Sequence, residues 1–304
     1  MIDHHREHRA HREHTQSFCL LLSAFCLFAT SCATRHVLFD DFAYAKPEDL
    51  AQHGWIVRTE VGFPGIVGAA WGKESIALID SDVLRMTSVT NGQGDGTRQA
   101  QICQQRKFLE GTYAARVRFN DQATSGPTGD QIVETFYFIS PLKAPMDPDY
   151  SEIDFEYLPD GGWNHIGPTI FFTTWETFQM EPWTQVNTST NRSGPLSGWH
   201  TLVAQVNRGL VRYFMDGQKV AEHGGKFYPE SMMSINLNLW FVRTGLIPGT
   251  DVRQWEEEID WVYFRGGWNQ SPQAVEAAVA DLRRRSIRFK DTVPASGLTS
   301  PCNF

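Results

Sequence analysis

The chain has 304 residues, of which 41% are hydrophobic and 20% charged, enough to bury a sizeable core in one large domain or two small ones. Its formal net charge of -8 argues against a nucleic-acid or anionic-membrane surface, since both require basic patches. Ten Trp and twenty Phe suit a neutral partner such as a sugar, whose ring faces stack on indoles, although acidity by itself only confers solubility.

The first element in chain order is a targeting segment. Phe18 to Ala29 is an apolar run too short to span a bilayer and of the length of a signal-peptide core. Ahead of it, Arg6, Arg9 and Arg12 are interspersed with Asp3, Glu7 and Glu13. The run ends in Ala29-Thr30-Ser31-Cys32, which resembles a bacterial lipobox with Ala29 in the place of the usual Leu. Residues 1–32 are therefore expected to direct export to the cell envelope or the medium. A lipid on Cys32 would be the protein's only attachment to a membrane. The mature chain then keeps Cys103 and Cys302, which either pair in an oxidising compartment or remain separate thiols. No Cys/His cluster has zinc spacing, and the five His before residue 15 leave with the signal.

From residue 36 to 268 the pattern is of short strands between turn signals. Strands are predicted at Leu84–Thr90, Gln99–Gln104, Gly111–Phe119, Ile132–Ser140, Ser151–Leu158, Pro168–Thr174, His200–Asn207, Leu210–Met215, Lys219–Glu222, Met232–Phe241 and Glu258–Phe264. Asp216-Gly217 between two such runs predicts a hairpin turn. Many strands with almost no helical periodicity predict an all-β antiparallel sandwich, with no internal repeat. Residues 269–304 differ: Ser271-Pro272 reads as an N-cap and first helical position, and Val275, Ala278, Val279 and Leu282 recur at helical spacing. Arg283 to Arg285 fall in the last turn, where cations suit the helix dipole. One C-terminal amphipathic helix packed on the sandwich is expected.

Glu152-Ile153-Asp154-Phe155-Glu156 carries the chemistry. Alternation along a strand puts Glu152, Asp154 and Glu156 on one face, with Ile153 and Phe155 in the core. Three like charges in a row cost stability, which is easier to explain by chemistry than by packing. Crowding raises the proton affinity of one carboxyl, and glycosidic bond cleavage needs one ionised and one protonated carboxyl. Glu258-Ile259-Asp260-Trp261-Val262 begins in the same way but has Val262 at the third same-face position, so the third acid is what distinguishes residues 152–156.

These residues resemble glycoside hydrolase family 16, whose signature is Glu-x-Asp-x-Glu on a strand lining a cleft. The likeness runs in order over residues 37–266. It takes in Asp41-Phe42, Gly54-Trp55, Gly111 to Phe119, Gly198-Trp199-His200-Thr201, Val211 to Gly217, Asn238-Leu239-Trp240 and Glu258 to Tyr263. The resemblance implies a β-jelly-roll sandwich with a concave substrate cleft and a retaining mechanism. Glu152 would be the nucleophile, Glu156 the general acid/base, and Asp154 would orient Glu152. The unbulged spacing looks more like licheninases and xyloglucan transglycosylases than laminarinases, agarases or carrageenases. Trp240 matches the family's cleft tryptophan. Tyr150, Trp163, Trp175 and Trp183 are further candidates for sugar contacts, and His200 for a structural role. Asp260 matches the carboxylate of a structural Ca2+ that the family often carries, and catalysis is expected to need no cofactor. The Pro-rich stretch Pro141 to Tyr150, and Gly167 to Phe172 without the licheninases' Asn-Tyr pair, would reshape the cleft. The expected partner is a polysaccharide acted on by a monomer. Hydrolysis of internal β-glycan bonds, glycosyl transfer at the same centre and sugar binding without turnover are the three readings.

Overall fold

The computed structural model describes residues 36–300 and Cys302; the expected export segment, with Cys32, lies outside the described residues. The described residues form seventeen strands and one α-helix. In chain order the first nine strands are β1 Val37–Asp40, β2 Trp55–Val57, β3 Ala70–Trp71, β4 Ile76–Ile79, β5 Val83–Thr90, β6 Arg98–Gln104, β7 Gly111–Phe119, β8 Ile132–Ile139 and β9 Glu152–Leu158. They are followed by β10 Thr169–Gln179, β11 Thr184–Ser193, β12 Gly198–Asn207, β13 Leu210–Met215, β14 Gln218–Gly224, β15 Ser234–Phe241 and β16 Arg253–Gly266. The helix α1, Pro272–Arg284, precedes β17, Phe289–Asp291.

One sheet runs β2-β6-β15-β8-β9-β10-β11 and is antiparallel throughout. The other runs β17-β1-β16-β7-β12-β13-β14, with β5 taking the place of β1 beside the first half of β16 and β4 continuing from β5. The sheets meet along β6, which touches β5 and runs parallel to the short β3. The expected all-β antiparallel sandwich is thus present.

Period-two alternation explains why two sheets close on each other. Tyr113, Ala115 and Val117 of β7 face Ile153, Phe155 and Tyr157 of β9 and Ile235, Leu237 and Leu239 of β15 in one buried core. The turn between β13 and β14 is Asp216-Gly217, both at positive φ (49° and 81°), which glycine adopts at no steric cost.

On the far face of the second sheet lies α1. The Ser271 hydroxyl accepts from the Ala274 N–H at 3.2 Å, the expected N-cap. Val275, Val279 and Leu282 are buried against Val37, Phe39, Ala114, Val203, Trp261 and Tyr263. β16 carries a bulge between Ile259 and Trp261. The extra residue re-aims the strand: Val262 packs in the core with Ile259, while Trp261 and Tyr263 meet the helix. The alternation that would put Val262 on the face of Glu258 is therefore broken at Asp260.

That bulge also decides what Asp260 can hold. Its Oδ2 accepts from Arg116 Nη1 at 2.7 Å and its Oδ1 from Arg283 Nη2 at 2.6 Å. Arg283 Nε lies 3.5 Å from the buried Asp41 carboxylate, which Arg288 also contacts at 3.0 Å. A calcium ion would have to displace guanidinium groups from both oxygens, and among the described residues no three or more His, Cys, Asp or Glu converge on a metal position. The residues at Asp260 do not fit the expected calcium. Of the two states open to the cysteines, the structure has the bond, Cys103 to Cys302 with Cα atoms 5.5 Å apart.

Candidate active site

β9 lies inside the first sheet, two strands from one edge. It is in unbroken register with β8, pairing Asp154 with Tyr137 and Glu156 with Thr135. On its other side β10 pairs Trp175 with Glu152, Thr173 with Asp154 and Phe171 with Glu156. The unbulged spacing read from the sequence is what the ladder has. Because Ile153, Phe155 and Tyr157 are core residues, Glu152, Asp154 and Glu156 project from the opposite face of the sheet.

That face should be open to solvent, yet its residues are nearly covered: Asp154 and Asn238 are 3% exposed, Tyr137 6% and Trp240 8%. Apolar side chains of the same face, the floor of the candidate site, bracket the acids and account for this. At one end Trp71, Val133, Leu158, Phe171 and Trp240 cluster. At the other, Tyr137, Ile139 and Tyr150 pack with Leu142, Trp175 and Phe178. The three acids run from one cluster to the other.

Each acid has a different donor. Tyr150 Oη donates to Glu152 Oε2 at 2.6 Å. Trp175 Nε1 donates to Asp154 Oδ2 at 2.8 Å. Glu156 has the Trp163 indole beside it. Burial pushes the Glu152 carboxyl up to about 7, opposed by the Tyr150 hydroxyl and by the neighbouring Asp154. Burial and then the Glu152 charge push Glu156 up to about 8, with Trp163 opposing. Burial raises Asp154 well above the usual carboxylate range, reinforced by the charges of Glu152 and Glu156, so it holds its proton and donates to Glu152. Two carboxyls of raised proton affinity flank a third that serves as a hydrogen-bond donor.

A polar network covers the floor beside them. Gln101 Nε2 and Asn238 Nδ2 both donate to Tyr137 Oη, at 2.9 and 3.2 Å. The Thr135 hydroxyl donates to Asn238 Oδ1. Arg58 Nη1 donates to Gln101 Oε1 at 2.9 Å and stacks its guanidinium 4.0 Å from the Trp71 ring centre. Tyr137, Gln101 and the facing Asn236 were not among the sequence candidates. A signal for them exists: Gln99-Ala100-Gln101-Ile102 in β6 and Asn236-Leu237-Asn238-Leu239 in β15 alternate between amide and apolar residues.

The other candidates separate by place. Trp163 and Trp240 meet with ring centres 6.1 Å apart at the Glu156 end, Trp163 on a turn at φ 49°. Trp175 stands at the Glu152 end, 5.9 Å from Phe178. Trp183 is exposed at the tip of the β10–β11 hairpin, 5.8 Å from Phe178. Tyr150 is 3% exposed, so it offers no open platform. Asp260 belongs to the other sheet. The stretch Pro141 to Tyr150 packs on the hairpin, with Met146 N donating to Phe178 O at 3.0 Å. His200 is held by Asp216 at 2.7 Å and the Leu196 carbonyl at 2.9 Å, a structural arrangement.

No model of a known protein family matches the chain, and no curated protein is similar to it in sequence. Solved structures are similar in shape. The Bacillus licheniformis β-glucanase is 14% identical, with 76% of this chain and 98% of that one aligned at a TM-score of 0.56. The endo-1,3-β-glucanase from Streptomyces sioyaensis is 15% identical over 76% and 96% of the two chains, also at 0.56. The κ-carrageenase from Pseudoalteromonas carrageenovora is 13% identical over 79% and 99%, at 0.54. The chain shares their fold.

Proposed function

We propose that the chain is a retaining glycoside hydrolase of family 16 that cleaves internal bonds of a neutral β-glycan by double displacement. The observation that carries this is the row Glu152, Asp154, Glu156 on one face of the sheet, three crowded carboxyls whose burial raises their proton affinity. The likeness in fold to β-glucanases supports the substrate class, and that to a κ-carrageenase supports only the cleavage of a polysaccharide.

In the first step the ionised Glu152 attacks the anomeric carbon while Glu156 gives its proton to the departing glycosidic oxygen, leaving a glycosyl ester on Glu152. In the second step Glu156, now ionised, takes a proton from water. The hydroxyl attacks the anomeric carbon and Glu152 leaves as carboxylate. Asp154 donates to Glu152 when its charge returns. Apart from the acids, the floor positions Gln101, Thr135, Tyr137, Thr173, Trp175, Asn236, Asn238 and Trp240 are uncharged, and the nearby Arg58 is buried against Gln101 and Trp71, which suits a neutral chain better than a sulfated one.

The test is reducing-sugar release from lichenan, laminarin, xyloglucan and agarose by the wild type and Glu152→Gln. Turnover of at least one β-glucan is expected, reduced by about three orders of magnitude or more in the variant. NMR should show the β-anomer as first product. Binding without turnover by the wild type would leave a sugar-binding protein, and oligosaccharides longer than the substrate would indicate glycosyl transfer. We also propose export through residues 1–32 with a lipid at Cys32, and a monomer. Fatty-acid labelling abolished by Cys32→Ala and a single 30–35 kDa species in light scattering, as about 34.5 kDa of chain requires, test both.

A further inference from the structure

Tyr150 lies two residues before Glu152, where a same-face aromatic would be expected to stack on sugar. The structure gives it another surrounding. Its ring is buried edge-on against Phe178, with centres 5.3 Å apart, in the cluster with Ile139 and Tyr137. Its hydroxyl is directed at Glu152 Oε2. The backbone that presents it is pinned from three sides. Ser140 N donates to Ser151 O at 2.9 Å and Ser151 N to Ser140 Oγ at 2.9 Å. Ser151 Oγ accepts from Glu230 N and Ser231 N at 2.9 and 3.1 Å, and Tyr150 N closes a turn on Asp147 O. A donor so held cannot follow a moving ligand, but it can fix a carboxylate.

We propose that Tyr150 is a positioning residue that holds Glu152 Oε2 and so presents Oε1 to the anomeric carbon, an assignment that rests on Glu152 being the nucleophile. A hydroxyl donating to a carboxylate favours its ionised form. Tyr150 therefore keeps the nucleophile ionised in a buried place while Glu156 keeps its proton. The titratable groups beside Glu152 are Asp154 and Glu156 on its own strand, Tyr137 on β8 and Tyr150 itself.

The experiment is the pH profile of kcat/KM for the wild type and Tyr150→Phe, with 13C-NMR titration of the Glu152 carboxyl in both. Removing the donor should move the acidic limb and the Glu152 titration up by about one to two pH units. It should lower kcat about tenfold or more with KM within about threefold, since the lost contact is not with substrate. An unmoved limb and titration, or a raised KM with unchanged kcat, overturns the assignment. Site-specific 3-fluorotyrosine at 150, a stronger donor of nearly the same size, should move both downward and reads the same contact should Tyr150→Phe fail to fold. A wild type without glycan turnover refutes the catalytic reading, and the NMR titration still shows whether Tyr150 sets the charge of Glu152.

Discussion

Glu156 keeps its proton at a pH where an exposed glutamic acid has lost it, because burial and the Glu152 charge both disfavour a second anion. The pair therefore titrates as a unit, with values near 7 and 8. The form that the proposed mechanism requires, one carboxyl ionised and the other protonated, is most populated between them. A bell-shaped kcat/KM centred near neutral pH is expected, and an optimum below pH 5 would contradict the assignment. The same shifts have a sign in stability. Folded-state values above the unfolded 4.5 mean the folded protein binds more protons. Stability is then full below about pH 4.5 and lost as pH rises toward 8. Glu156→Gln should melt higher than the wild type at pH 8 and about the same at pH 4, as calorimetry will show. The three acids were legible because strand alternation needs only the sequence. Their donors were not: Trp175 reaches Asp154 from β10, and the contact depends on a register no local pattern specifies.

At the scale of the element, strands with a buried face announced themselves. Gly111–Phe119 and Leu210–Met215 have the bounds read from their alternation. β11 did not: Thr184–Ser193 is almost wholly polar and owes its pairing to β10, not to a core face. The β16 bulge was likewise invisible, since an extra residue leaves composition unchanged. The helix was legible from its cap and spacing, but not the task of its last turn, where Arg283 ties Asp260 of β16 to Asp41 next to β1. Arg283→Ala leaves a buried carboxylate with less compensation and should cost about 3 kcal/mol, read as a fall in Tm that a chelator does not reproduce. Between the sheets, Glu134 of β8 and Glu257 of β16 are both fully buried, with the Asn120 N–H directed at Glu134 and the Thr135 N–H at Glu257. Burial raises both well above the usual range, and the Glu257 charge raises Glu134 further. Glu257→Gln should stabilise the protein at pH 8 and leave it unchanged at pH 4; equal effects at both would show that the pair is not protonated.

Across the whole molecule the sheet that carries the three acids has seven strands, spanning about 29 Å between its outermost members at about 4.8 Å a step. Four strands lie on one side of β9 and two on the other. A glycan crossing them would be held unequally about the cleaved bond, so kcat/KM should rise with oligosaccharide length until the chain spans that width. Initial cuts should release unequal fragments, as chromatography of early products will show. Cys103–Cys302 joins this sheet to a segment 199 residues on. Cys302→Ala should cost about 3–5 kcal/mol. The bond also sets a schedule. Cys103 sits in β6 beside Gln101, whose Nε2 lies 3.2 Å from its sulfur. Its partner is synthesised nearly two hundred residues later. Throughout that interval Cys103 has no partner with which to close the bond. The order of manufacture thus leaves the tie between β6 and the segment after α1 to be closed only after every strand of this sheet has been made.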